Sequence, residues 1–390
     1  MPCQLPADCL DEIFEYLYLE EDRFTSLYKC LFVNHLWCEV SIKILWRNIW
    51  SLKHNFYVLK ESTKLINILT ACLPKESKDL LRENEIFILS PLSLSNDEST
   101  KDLSRMNGVY ITTPTSKQPL FNYISFCKVL SIGKVDMMIK KFFQNQSSIN
   151  SNHHKADLVT REILKMFMDR ITSLKKLSYR TCVIDHRKNI TFTNFPGSRE
   201  CLTDLSELSS DSDIHSEFFY QLSQICHNIQ SINIIFEKSI SHGLKKLIIS
   251  QNNLKYLSLC QNHNSIGWTD IIPSLTKHSN TLIRLKISGN DSGPFSFISK
   301  FTNLRELILS TNYDNTFKGF NELQYVTFTY LHTLEFHHGC PKVDILIKLL
   351  ENNGKSLKKF VADIPDKYNN DILNNAIIKF CPNFKTNISG

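Results

Sequence analysis

The residues of this chain most able to hold a metal or attack a substrate are its 13 histidines and 12 cysteines, and their spacing assigns them neither task. The cysteines are scattered from Cys3 to Cys381 with no C-x-x-C pair, which argues against a zinc finger or a RING. His153-His154 and His337-His338 are adjacent. Neighbouring side chains on a strand point to opposite faces, so neither pair is placed to share an ion. The chain carries no G-x-x-x-x-G-K-[ST] phosphate loop, no H-E-x-x-H, no G-x-S-x-G and no glycine-rich dinucleotide turn, and it has only 11 glycines. The expectation is a non-enzyme with no metal and no cofactor. Its chemistry is that of contact. Tyr256, Arg284, Lys286, Glu306 and Glu335 are the residues expected to meet a ligand, because Tyr and Arg are enriched at binding hot spots and all five fall at equivalent places in a recurring pattern.

That pattern is L-x-x-L-x-L, allowing Ile, Phe and Tyr. It begins at Leu174, Leu202, Ile229, Leu254, Leu282, Leu304, Leu331 and Leu357, at intervals of 22 to 28 residues, with a worn copy at Phe384. On a strand the second and third apolar positions turn inward, so the residues flanking the second face the other way. These flanking pairs are Lys176 and Ser178, Asp204 and Ser206, Ser231 and Asn233, Tyr256 and Ser258, Arg284 and Lys286, Glu306 and Ile308, Thr333 and Glu335, Lys359 and Val361. Strands lie about 4.8 Å apart, so Arg284 can also pair with Glu306 on the next repeat and merely decorate the surface. Asn262, Asn290 and Asn312 follow three of the strands, and Cys182 follows the first. Helical spacing recurs between strands, at Ile163 to Ile171, Phe218 to Ile225, Leu346 to Leu350 and Ile372 to Phe380. Leu244 to Ile249 also fits a helix, whereas the interval before Leu304 leaves little room for one. These features resemble leucine-rich repeats. The resemblance implies a solenoid with parallel strands on the concave side and helices on the convex side, each repeat burying its neighbour's apolar face. Phe121-x-x-Ile124-x-Phe126 is a candidate capping repeat, and residues 183 to 216, with their acidic S-S-D-S-D run, read as a loop interrupting the array.

The N-terminus has a different period. Leu10, Ile13, Phe14 and Leu17 share one helix face, with Asp8 as expected N-cap; Thr25 or Ser26 is the expected cap of a helix carrying Leu27, Cys30 and Leu31; Val33, Trp37, Val40 and Ile44 mark a third. A unit of under fifty residues rarely buries enough apolar surface alone, so a partner is implied. Half a dozen such side chains buried against one would contribute on the order of 10 kcal/mol gross. Leu5, Pro6, Leu10, Ile13, Phe14, Leu17, Leu27, Val33, Trp37, Leu45 and Trp46 resemble the F-box in order and spacing, with an acidic insert, Glu20-Glu21-Asp22, as a departure. The resemblance implies that these residues dock a Skp1-type adaptor, and through it a cullin-RING ubiquitin ligase, while the repeats hold an unidentified target protein. The alternative is a repeat scaffold outside any ligase. A small-molecule receptor is disfavoured by the polar flanking residues.

Composition sets the remaining bounds. Lys and Arg number 45 against 39 Asp and Glu, a net charge of +6 that is not gathered on any one segment, so no nucleic-acid partner is expected. Pro2, Asp8, Asp11 and Glu12 interrupt any N-terminal signal, and no apolar run approaches the roughly 18 residues of a membrane span. The expected location is intracellular, cytoplasmic or nuclear. The expected organisation is α/β: residues 1–50 as a helical F-box, 51–120 as a helical linker and polar loop (the loop over 90–119), and 121–390 as the repeat solenoid.

Overall fold

The computed structural model describes residues 5–19, 23–51, 59–90, 108–115, 117, 119–146, 152–180, 191–262, 267–289, 294–311, 317, 319–363 and 370–384. The chain divides into two compact units, Met1–Asp204 and Leu205–Gly390. It is α/β, its paired strands all parallel among the described residues.

The first unit opens with helices α1 (Ala7–Leu19), α2 (Arg23–Cys30) and α3 (His35–Arg47). Leu10, Phe14, Leu27, Cys30, Val40 and Ile44 interlock as their common core, with Leu17, Tyr18, Leu36, Trp37 and Leu45 packed against it. Two expected caps differ. Asp8 sits inside the first turn of α1, where its charge still favours the positive end of the helix dipole. Thr25 and Ser26 lie within α2, which begins at Arg23. Asn34 caps α3, its side chain accepting from the Trp37 N–H at 2.9 Å. The Arg47 and Glu15 side chains tie α3 to α1 as an ion pair. The three helices are not left to stand alone. Lys128 N–H donates to Arg47 O at 2.9 Å, Trp50 Nε1–H to Val129 O at 2.9 Å, and Trp46 stacks on Tyr123 with centroids 4.8 Å apart. The rest of this unit therefore supplies part of the burial that so small a bundle lacks.

Helices α4 (Leu59–Ala71) and α5 (Lys75–Glu83) lead to β1 (Ile86–Leu89), which pairs in parallel with β2 (Val109–Thr112). The polar stretch 90–119 is thus not all loop. Val109, Tyr110, Ile111 and Thr112 are strand formers, and Val109 and Ile111 turn inward to burial while Thr112 turns out. Next come β3 (Val129–Ser131), α6 (Ile132–Gln146), α7 (Asn152–Arg170), β4 (Lys176–Tyr179) and the short α8 (Ser198–Leu202). β3 pairs with β4, Leu130 opposite Leu177. A strand thus precedes Leu174, but its template runs Cys127, Leu130, Ile132; residues 123–126, where the sequence placed it, form a 3-10 turn.

The second unit runs through β5 (Glu207–Asp211), α9 (Ser216–Ile225), β6 (Ser231–Phe236), α10 (His242–Ser250), β7 (Tyr256–Gln261), α11 (Ile272–Leu275), β8 (Arg284–Gly289), β9 (Glu306–Thr311), β10 (Thr333–His337), α12 (Val343–Asn353), β11 (Lys359–Ala362) and α13 (Asn370–Phe380). From β6 on, each strand pairs with the one before it, and the register puts Leu208, Ile232, Leu257, Leu285, Leu307, Leu334 and Phe360 in one continuous apolar row. One reading of the repeats is corrected by that register. Leu208 is the partner of Ile232, so the repeat template starts at Leu205, and Leu202 ends a helix. The S-S-D-S-D run is not a solvated loop either: Ser209 to Asp211 lie in β5, with Ser210, Asp211 and Ser212 buried. Leu244 to Ile249 lie in α10, as helical spacing indicates. In the two repeats between Leu282 and Leu331, 3-10 turns at 295–300 and 320–325 replace helices, and large rings occupy the space beneath them: Trp268, Phe295, Phe320 and Phe336 are wholly or almost wholly buried, with centroids 5.5 to 6.3 Å apart.

Candidate functional site

Strand alternation in the second unit sends the flanking residues to the face opposite the apolar row, and the parallel register aligns them across strands. One file runs Glu207, Ser231, Tyr256, Arg284, Glu306, Thr333, Lys359; beside it runs Ser209, Asn233, Ser258, Lys286, Ile308, Glu335, Val361. Glu207 and Ser209 replace Asp204 and Ser206, as the corrected register requires.

Four of the five expected contact residues are brought together at the middle of this face. Arg284 lies between Tyr256 and Glu306, its guanidinium 5.9 Å from the Tyr256 ring centroid and 2.5 Å from the Glu306 carboxylate. Lys286 projects from the same strand, is exposed, and enters no ion pair among the described residues. Glu335 stands apart from them. It is 8% exposed, held by Lys359 Nζ at 2.7 Å and His337 Nε2 at 2.9 Å. Burial pushes its carboxyl up, but those two donors outweigh the burial, and its pKa is lowered overall. Glu335 is therefore already satisfied by its own neighbours, and Arg284 is likewise paired with Glu306, as the repeat spacing allows, while Tyr256 and Lys286 are exposed beside it.

The N-terminal surface sorts its residues by a different rule. Leu10, Phe14 and Leu27 are core, Leu17, Trp37 and Leu45 pack against that core, and Trp46 lies under Tyr123. These positions shape the bundle: Leu10, Phe14 and Leu27 are fully covered within it, whereas Leu17, Trp37 and Leu45 are only partly covered. What remains outside is Leu5 (47% exposed), Ile13 (46%) and Val33 (56%), together with the exposed Pro6. Tyr16 (69%), Tyr28 (58%) and Phe32 (73%) join them, and sequence spacing missed all three. Phe32 lies one residue before Val33, in the turn between α2 and α3, and packs edge-on to Tyr28 at 5.2 Å.

Side chains that close the repeats were also missed. The Gln251 amide is buried, accepting from Ile229 N–H at 2.9 Å and donating to Cys226 O and Leu247 O, both at 2.9 Å. Asn353 does the same at a later turn, accepting from Phe328 N–H at 2.6 Å and donating to Val326 O and Leu349 O. His278 bonds Ile248 O at 2.9 Å. Each meets backbone groups where the chain leaves a helix or turn for the next strand. The expected ladder residues Asn290, Asn312 and Cys182 lie outside the described residues, as does the acidic insert 20–22; Asn262 bonds the Glu237 carboxylate at 2.5 Å. Among the described residues no cluster of metal-binding side chains occurs and no helix is long and apolar enough to cross a membrane. Cys127 and Cys201 are buried thiols pushed up to about 12 by that burial, which keeps them protonated and poor nucleophiles. No protein-family model and no curated protein sequence matches the chain.

Proposed function

We propose that this chain is the substrate-recognition subunit of an SCF-type ubiquitin ligase. Its first three helices act as an F-box that docks a Skp1-type adaptor in the cytoplasm or nucleus, and its second unit acts as a leucine-rich-repeat solenoid that holds the target protein. The chain does no chemistry itself. It speeds ubiquitin transfer by raising the effective concentration of target lysines near the conjugating enzyme. The observation that carries the reading is the exposed apolar set on the N-terminal bundle. Six large apolar side chains lie exposed on this one small, internally packed unit, Tyr28 and Phe32 in contact with each other, and apolar surface left open in this way supports a protein contact.

The same bundle packs on residues 123–131 of its own unit, which favours the second reading, a repeat scaffold outside any ligase. Ubiquitylation separates the two. Full-length chain reconstituted with adaptor, cullin and RING is expected to promote cullin-dependent ubiquitylation of a partner it captures, and Arg284→Glu with Lys286→Glu is expected to release that partner while the adaptor stays bound. Capture without cullin-dependent modification would leave the scaffold reading in place.

A further inference from the structure

Two adjoining hollows in the first unit are lined by cations and by no carboxylate. The larger, about 540 Å³, is bounded by the turn from α4 into α5, residues 119–122 and the end of α7, and it takes its charge from Lys75, Lys78 and Arg170. The smaller, about 190 Å³, shares Ala71 and Lys78 with it and adds Arg82 and Lys117, with the hydroxyl-bearing Ser90, Thr113 and Thr115. Lys78 lies at the junction, its ammonium donating to Ala71 O at 2.8 Å.

This gathering of charge runs against local preference. Lys75 and Lys78 stand at the start of α5, where the helix dipole favours anions, and the Pro74 cap gives that end no side-chain hydrogen bond. Lys78 holds its proton less tightly than a free lysine, because it is partly buried and Arg170 is near. Asp79 meets Arg82 at 3.4 Å on the exposed side of the helix, but neither hollow is lined by an acid. The larger hollow, of ligand size, is lined by Lys75, Lys78 and Arg170 at the uncapped start of α5, and the smaller one beside it adds Arg82, Lys117 and three hydroxyls, so the larger hollow is a receptor for several negative charges at once.

We propose that this hollow binds a small soluble oligophosphate, a molecule carrying two or more phosphate groups. The site is separate from both surfaces assigned above, and its failure would leave the adaptor reading untouched. Calorimetric titration of the full chain with inorganic tripolyphosphate tests it, with orthophosphate and vesicles bearing multiply phosphorylated lipid headgroups as parallel arms. Tripolyphosphate is expected to bind with one-site stoichiometry, more tightly than orthophosphate, and to weaken as salt rises. Lys75→Gln with Arg170→Gln is expected to weaken binding by about tenfold or more, while the unliganded melting temperature holds or rises and Lys286→Gln changes nothing. Absence of binding, binding undiminished in the double variant, or binding to vesicles alone would each overturn the proposal.

Discussion

Gln251, Asn353 and Glu335 show how single polar side chains hold this protein in shape. Gln251 and Asn353 are buried and each satisfies one backbone N–H and two carbonyls. Replacing either by leucine fills similar space but orphans those groups, and an unsatisfied buried donor costs about 1–3 kcal/mol. Urea unfolding of Gln251→Leu and of Asn353→Leu is expected to show losses in that range; a change under about 0.5 kcal/mol would mean that other groups or water take over. For Glu335 the sign follows from its lowered pKa. A carboxylate held below its unfolded value of about 4.3 stabilises the fold above that pH, and the contribution is lost as pH falls through the folded value. Glu335→Gln is therefore expected to lower stability at neutral pH and to flatten its decline below about pH 4.3, as followed by thermal melts from pH 7 to pH 3. An unchanged slope would refute the pairing.

Elements lock together through close backbone approaches as much as through apolar rows. Gly243 opens α10 beside the start of α9, where an added Cβ would meet Ser216 O at 2.2 Å and Phe219 Cβ at 2.9 Å. Neither neighbour is a flexible tip, so Gly243→Ala forces the helices apart. It is expected to cost about 1–3 kcal/mol, whereas Gly267→Ala, whose Cβ would meet only the Thr269 hydroxyl at 3.3 Å, is expected to be close to neutral. Equal melting temperatures for the two variants would contradict this packing. The elements also show what a sequence can reveal. Apolar period 2 against period 3.6 located β4, β6 to β11 and α7, α9, α10, α12 and α13, because those faces are buried and their spacing is strict. It misplaced β5 by three residues, since Leu202, Leu205 and Leu208 satisfy two registers and only pairing with Ile232 chooses between them. It passed over β2, whose Val109 to Thr112 is short and set among polar residues, and whose partner β1 lies across a long connection.

Across the whole molecule the two candidate surfaces differed in how legible they were. On the sheet, position in the repeat determines direction, so Tyr256, Arg284 and Lys286 were readable from spacing, while the Lys359 and His337 contacts that occupy Glu335 were not. On the N-terminal bundle, spacing marked apolar residues without separating core from surface. Leu10, Phe14 and Leu27 turned inward, and Tyr16, Tyr28 and Phe32 became the exposed set, because a helix packed on two sides buries more than one stripe. The adaptor reading thus rests on Leu5, Ile13, Val33 and these three aromatic residues. Co-purification of the full chain with a Skp1-type adaptor at micromolar concentration tests it most directly, beside a variant carrying Ile13→Asp, Phe32→Asp and Val33→Asp whose fold is checked by circular dichroism. The wild-type chain is expected to retain the adaptor and the equally folded variant to lose it. A wild-type chain that fails to retain the adaptor, or a variant that holds it equally well, would rule out docking through this surface and leave these helices as part of a repeat scaffold.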